Sequence, residues 1–255
     1  WGINEEQVLP TGMPRMDEYL DPERRARVEQ KLYEKYPLCK GKKVILFAPT
    51  YRGRNKLLAY YPYELIDFDK LYDLCGEEYV VLFKMHPWVA SAVPIKEPHK
   101  DRFVDVNKFP DINDLFYITD LLITDYSSNI FEYSLMKKPM LFFAFDKLQY
   151  AYSRGFHRAY EESAPGKVVY TFDELLTAIR EQDFEFEKVE AYVDFSFDHI
   201  DCNASDRVID WFVLGQIPVE MQADIDTVRN HYREMQKIVF ENPELGEEQR
   251  DRSTV

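Results

Sequence analysis

Positive charge is in short supply in this 255-residue chain: 32 Lys and Arg stand against 46 Asp and Glu, for a net charge of −14. A general nucleic-acid surface needs a basic face, and this balance excludes one. It does not exclude a phosphorylated small molecule, for which a few local donors count more than the total. Cysteine is scarce too. Cys39, Cys75 and Cys202 are far apart, with no C-x-x-C and no zinc spacing, so they read as reduced thiols in a reducing compartment. No metal site and no cofactor are expected. The sequence also lacks an apolar run of about 18 residues, so no membrane span is expected. P-loops, nucleophilic triads and internal repeats are missing, as are Pro/Gly/Ser linkers in the first two hundred residues. The chain opens at Trp1 with neither a methionine nor a signal-like segment, and reads as a fragment of a longer protein.

What is present is an ordinary globular composition, 45% hydrophobic and 15% aromatic, with 18 Phe and 18 Tyr. The length suffices for a sizeable core. Short apolar runs alternate with helix-period segments. Strands are expected at Val44 to Ala48, Tyr79 to Lys84, Phe103 to Val106, Leu121 to Thr124, Met140 to Phe145 and Val168 to Tyr170. Between them "DFDKLYDLCG" and "DINDLFYITD" read as helices, the second with Asp111 as N-cap, and another runs from about Asn129 to Met136. Thr171 and Glu174 have the spacing of a capping box that opens a helix over Phe172 to Gln182. "ASDRVIDWFVL" closes the region with one more helix.

Continuous apolar strands alternating with helices indicate a doubly wound α/β domain, a Rossmann-like parallel sheet covered on both faces. It is expected to occupy residues 1–215, with a helical extension and frayed tail over 216–255. In the extension Met221, Ile225, Val228, Tyr232, Met235 and Val239 alternate steps of four and three. Such a seam can pack back on its own domain or pair two copies in a homo-oligomer.

Ligands of doubly wound domains sit at the carboxyl ends of strands, so the strand ends supply the candidates. The first strand ends in "APTYRGRNK", where Arg52 is placed to clamp phosphate oxygens bidentately. Arg54 and Lys56 are read as surface residues. The second ends in "FKMHP". Lys84 and His86 are two apart and face one way, and Pro87 leaves the imidazole at the sheet rim. There it can hydrogen-bond a phosphate or protonate a leaving group. In "LLITDYSSNIFEYS", Ser127 and Ser128 stand at a helix start, where unpaired N–H groups favour an anion. Simple N-capping is the alternative for both serines. Asp125 is expected to accept from turn amides or to orient a neighbour. Glu132 falls one turn on, within reach of a nucleotide's sugar. Arg154, next to Gly155 in the segment after the fifth strand, supplies a further cation on a loop that either closes over a ligand or is a surface excursion.

Taken together, "TGMPRMD" at Thr11 to Asp17, "APTYRG" at Ala48 to Gly53, "FKMHP" at Phe83 to Pro87, "DLLITDYSSNIFEYS" at Asp120 to Ser134, "RGF" at Arg154 to Phe156, "APG" at Ala164 to Gly166 and "ASDRVIDWF" at Ala204 to Phe212 resemble the carboxyl-terminal half of the CDP-glycerol glycerophosphotransferase family. These are the teichoic acid glycerol- and ribitol-phosphate polymerases and primases. The resemblance implies the donor half of a GT-B-type fold, and transfer of a polyol phosphate from CDP-glycerol or CDP-ribitol to a lipid-linked teichoic acid acceptor, with release of CMP. By motif, His86 and Arg52 would be catalytic, and Ser127, Ser128, His86, Arg52, Lys84, Asp125 and Arg154 would meet the donor diphosphate. Glu132 takes its ribose role from a similar turn in sugar-nucleotide epimerases. The implied site of action is the cytoplasmic face of a membrane, as a peripheral protein.

Two departures stand out. The family's amino-terminal acceptor half, with its histidine base, is absent, so the fragment is expected to bind donor and turn over poorly. Cys202-Asn203 replaces a turn in which the family commonly has glycine. A nucleotide-sugar glycosyltransferase or epimerase, or a non-catalytic nucleotide-binding module, remain as alternatives.

Overall fold

The computed structural model describes residues 8–241. In chain order the elements are α1 (Arg15–Leu20), α2 (Pro22–Lys35), β1 (Lys43–Phe47), α3 (Phe68–Cys75), β2 (Tyr79–Phe83), β3 (Phe103–Asp105), α4 (Ile112–Phe116), β4 (Leu121–Thr124), α5 (Asn129–Ser134), β5 (Met140–Phe143), α6 (Lys147–Ser153), α7 (Tyr160–Ser163), β6 (Lys167–Val169), α8 (Phe172–Glu181), α9 (Glu187–Ser196), α10 (Ala204–Val208) and α11 (Val219–Glu241). All strand pairs are parallel, in the order β3-β2-β1-β4-β5-β6. The order reverses between β1 and β4, which makes their carboxyl ends the switch point at which doubly wound sheets bind ligands.

The six expected strands all form; β4 has the expected bounds, and the other five end one or two residues earlier than expected. Phe47, Phe83 and Phe143 are the last paired residues, and the chain leaves the sheet just beyond them. Both faces of the central strands are covered. Val44 to Phe47, Val80 to Phe83, Leu121 to Thr124 and Met140 to Phe143 are buried without interruption. On one face Ile45, Phe47, Phe83 and Phe103 pack with Phe68 and Leu71 of α3 and Leu175 and Ile179 of α8. Each such side chain contributes about 1.5–3 kcal/mol by leaving water.

The helix signals act as the sequence implies. Thr171 accepts from the Glu174 amide while Glu174 accepts from the Thr171 amide, a complete capping box at the start of α8. Asp111 caps α4 through the Asn113 amide. Other elements come without having been expected. Asp21 with Pro22 opens α2, and the segment after β5 holds α6 and α7. The closing helix is α10 followed by a π-turn, Ile209–Val213.

Two compact units divide the chain: Glu18–Ile200, and the segments Trp1–Asp17 with Asp201–Val255. The expected boundary at residue 215 lies inside the smaller unit. Within that unit Asp17 accepts from the amides of Ala204 and Ser205, and Arg207 donates to the Thr11 carbonyl and to Asp201. The extension forms α11, on which Met221 and Ile225 are half-buried. The side chains of Val228, Tyr232, Met235 and Val239, and the frayed tail, lie outside the described residues. Among the described residues no helix is long and apolar enough to cross a membrane.

Candidate active site

A cleft of about 500 Å3 lies over the carboxyl ends of β1, β2 and β4, lined by Thr50, Tyr51, Lys84, His86, Ser127 and Ser128 among others. Pro49 and Pro87 end the extended runs and turn the chain over this edge.

His86 is half-buried with its ring 4.6 Å from that of Tyr51 and 5.3 Å from that of Trp88. Its Nδ1 accepts from the Trp88 amide at 3.1 Å, which places the ring proton on Nε2. Burial first, then the charges of Arg154 and Lys84, hold the imidazole pKa below its usual value. At neutral pH His86 is therefore a neutral Nε2–H donor. Lys84 is buried, and desolvation lowers its pKa. Its ammonium donates to the Asn107 carbonyl at 2.8 Å. With three N–H bonds available, two are left for a ligand in the cleft it lines.

At the β4 end the two serines behave differently. Ser127 Oγ accepts from the Asn129 amide at 3.2 Å. Ser128 has helical backbone angles and makes no capping bond, and it is exposed. Among the described residues the Ser127 and Ser128 amides have no acceptor, so the turn presents two N–H groups and two hydroxyls.

Asp125 accounts for the acidic residue in this donor-rich turn. It is buried, and its Oδ1 accepts from the Thr50 amide and hydroxyl, both at 2.8 Å, and from the Tyr126 amide at 2.6 Å. Donors that converge on this oxygen favour the charged form. Burial raises its pKa, against the pull of Arg52 and those bonds. It stitches the β1 end to the β4 end and so fixes the switch point. Thr124 Oγ1 adds a bond to the Ala48 carbonyl across the same pair of strands.

Arg52 is committed to protein partners. Nε and Nη2 form a fork on Asp146 at 2.5 and 2.9 Å, and Nη1 donates to the Thr50 carbonyl and hydroxyl. Nη1 also stands 2.9 Å from Asp125 Oδ2, in ionic contact without hydrogen-bond geometry. Burial would lower the guanidinium pKa, but the carboxylates outweigh it and raise it. Phe145, Tyr126 and Tyr150 pack around the guanidinium at 4.9 to 5.8 Å. The bidentate geometry expected on a ligand phosphate is spent on Asp146.

Serines, His86 and Lys84 thus share one cleft, with Asp125 beneath it. Arg154 lines the adjoining cleft instead, donating to the Gly53 carbonyl at 3.0 Å. Glu132 lines neither cleft. It is buried on α5, where its charge adds to burial in raising the hydroxyl pKa of Tyr19 and Tyr192. Sequence reasoning missed Asp146, Thr50 and Asn107. Asp146 directly follows the apolar run Met140 to Phe145, as Asp125 follows Leu121 to Thr124, and that position was the available signal. Nothing local marks Thr50 or Asn107, whose partners lie 75 and 23 residues away.

Residues 1–214 match the family model described as CDP-Glycerol:Poly(glycerophosphate) glycerophosphotransferase. The chain is 44% identical over 216 residues to the teichoic acid poly(ribitol-phosphate) polymerase of Bacillus spizizenii, covering 85% of this chain and 35% of that protein. It is 46% identical over 210 residues to the teichoic acid ribitol-phosphate polymerase TarL of Staphylococcus aureus, covering 82% of this chain and 37% of that one. This chain therefore spans little more than a third of these relatives' length. A solved structure of the wall teichoic acid polymerase TagF superposes with a TM-score of 0.67 at 29% identity, over 88% of this chain and 54% of that one. A TagF variant soaked with CDPG gives 0.66 at 30% identity, with 88% and 54% coverage.

Proposed function

The chain belongs to the CDP-glycerol:poly(glycerophosphate) glycerophosphotransferase family, and from that membership we propose that its cleft binds the diphosphate of a CDP-polyol and supplies the donor half of a polyol-phosphate transferase. CDP-ribitol is the favoured donor, supported by the ribitol-phosphate polymerases at 44% and 46% identity. The observation that carries the reading is the convergence of His86, Lys84, Ser127 and Ser128 on one cleft at the switch point.

In the proposed reaction an acceptor hydroxyl oxygen bonds to the β-phosphorus. The bridging P–O bond breaks, and its electron pair leaves with CMP. The hydroxyl proton passes to a general base, which by family resemblance belongs to the acceptor-side half. Negative charge grows on the bridging oxygen and the CMP phosphate. Donors already fixed there stabilise the transition state more than the ground state. His86 Nε2–H is held in direction by the Trp88 amide, the Ser127–Ser128 amides by the Asp125 stitch, and Lys84 adds charge from a partly dehydrated position. Arg52 acts as a positioning residue. It cross-links Asp125 and Asp146 and keeps the β1, β4 and β5 ends in register, so its contribution to the diphosphate is indirect. Arg154 acts at long range, from the adjoining cleft. Glu132, if it serves a ribose, must do so by a change in its buried side chain on donor binding. A lipid-linked acceptor places the enzyme at the membrane face, as a peripheral protein.

Calorimetric titration of the chain with CDP-ribitol, CDP-glycerol and a UDP-sugar tests the reading. The CDP-polyols should bind in preference, and paired Ser127→Ala and Ser128→Ala changes should weaken them at least tenfold. Equal binding of the UDP-sugar, or indifference to the serines, would refute it.

A further inference from the structure

A second cleft of about 980 Å3 opens beside the donor cleft, between the hairpin from Arg52 to Tyr60 and helix α6. Tyr51 borders both clefts. The His86 ring lies 4.6 Å from the Tyr51 ring, and the Arg154 guanidinium carbon lies 4.6 Å from the same ring's centre. Tyr51 is thus a wall with the proposed donor machinery on one side and an unassigned space on the other.

The chemistry of that space is specific. Its carboxylate at the β5 end, Asp146, is neutralised by the fork from Arg52. Two other guanidiniums in the lining, Arg54 and Arg154, have no carboxylate partner among the described residues. Arg154 is ordered by the Gly53 carbonyl and by Tyr51 and Tyr150 beneath it. Among the described residues other arginines do find acids, as Arg24, Arg25, Arg102 and Arg207 do. Tyr60 and Tyr152, 53% and 96% exposed, add hydroxyls and ring faces, and Glu64 and Gln149 add acceptors. Two guanidiniums without a carboxylate partner among the described residues suit phosphodiester oxygens. Tyrosines, a carboxylate and an amide suit the hydroxyls of a flexible polyol better than they suit an apolar ligand.

We propose that this second cleft holds a phosphodiester-linked polyol, the terminal units of the acceptor chain, with Arg54 and Arg154 on its phosphodiester oxygens. The assignment of the occupant as acceptor rests on the donor reading of the first cleft. It gives this chain a share in holding the growing polymer as well as the donor, with Tyr51 bordering both clefts. The same phosphodiester-glycerol chemistry occurs in a phosphatidylglycerol headgroup, so the test separates the two sources.

The chain is titrated at low salt with a synthetic ribitol phosphate trimer and, separately, with CDP-ribitol. Sedimentation with phosphatidylglycerol vesicles forms a third arm. The expected result is trimer binding that weakens about tenfold in Arg54→Ala, as loss of a charge-assisted contact implies, and weakens with added salt. CDP-ribitol affinity should be unchanged in that variant, because Arg54 is exposed and lines only the second cleft. Trimer binding that Arg54→Ala leaves intact would overturn the proposal. So would absence of trimer binding in a chain that binds CDP-ribitol, or Arg54-dependent binding to vesicles alone. Failure of CDP-ribitol to bind, with Arg54-dependent trimer binding intact, would sink the donor reading and leave the phosphodiester site standing.

Discussion

Replacing Asp146 by alanine removes two of the hydrogen bonds that hold Arg52, the fork at 2.5 and 2.9 Å, together with the acceptor of the Tyr126 hydroxyl at 3.1 Å. The side chains involved are 9% and 14% exposed, so water does little to replace what is lost. Breaking a buried pair by removing one partner costs about 3–5 kcal/mol, because the other charge stays behind. Here Arg52 keeps its ionic contact with Asp125 and its bonds to Thr50, so about 3 kcal/mol, the lower end, is expected. Arg52→Ala should cost more, about 4–5 kcal/mol, since it leaves two buried carboxylates without their shared cation. For domains of this size about 3 kcal/mol corresponds to a fall of roughly 6–12 °C in Tm. Urea unfolding followed by circular dichroism measures both variants, with an unchanged m-value required for the comparison. Asp146→Ala within about 0.5 kcal/mol of the unaltered chain, or more damaging than Arg52→Ala, would refute the network as the brace of the switch point.

The remaining predictions concern local devices and protonation. Because its pKa is depressed, the His86 imidazole is neutral at pH 7, and a bound diphosphate favours the imidazolium. CDP-polyol affinity should therefore rise as the pH is lowered from neutrality through the depressed imidazole pKa, and calorimetry should show that rise disappear in His86→Ala. In a transferase that joins this chain to an acceptor-side half, the proposed reaction requires that His86→Ala lower kcat roughly a hundredfold to a thousandfold, and near-normal turnover would remove it from the mechanism. Gly53 has φ +103°, and an added Cβ would stand 2.0 Å from the Leu58 carbonyl oxygen. Gly53→Ala should therefore open the hairpin and reduce trimer binding, with chemical-shift changes confined to residues near the second cleft. Thr171→Ala should lose about 1 kcal/mol in urea unfolding through the capping box of α8.

The parts of this molecule legible in the sequence are those whose cause is local. Four- and five-residue apolar runs buried on both faces announce β1, β2, β4 and β5, and Thr171 with Glu174 announces α8. The strand-end rule then points to His86, Lys84 and the two serines without any knowledge of the contacts. The fate of Arg52 was not legible. Its partners are 73 and 94 residues away in sequence (125 − 52 and 146 − 52), and a guanidinium suited to a phosphate is equally suited to a carboxylate. The hairpin from Arg52 to Tyr60 was hidden for the same reason, since its polar run carries no period and is held by bonds between the backbones of Arg52 and Tyr60. Glu132 illustrates the limit of helical spacing. One turn from Ser128 is near in sequence, but α5 carries that position into the interior.

The most direct test of the donor reading is a crystal structure of the chain with CDP-ribitol. The account predicts β-phosphate oxygens within hydrogen-bonding distance, about 3.2 Å, of Ser128 Oγ and His86 Nε2, with Lys84 on the same group. A diphosphate bound away from that turn, with Ser128 and His86 contacting only solvent, would contradict it.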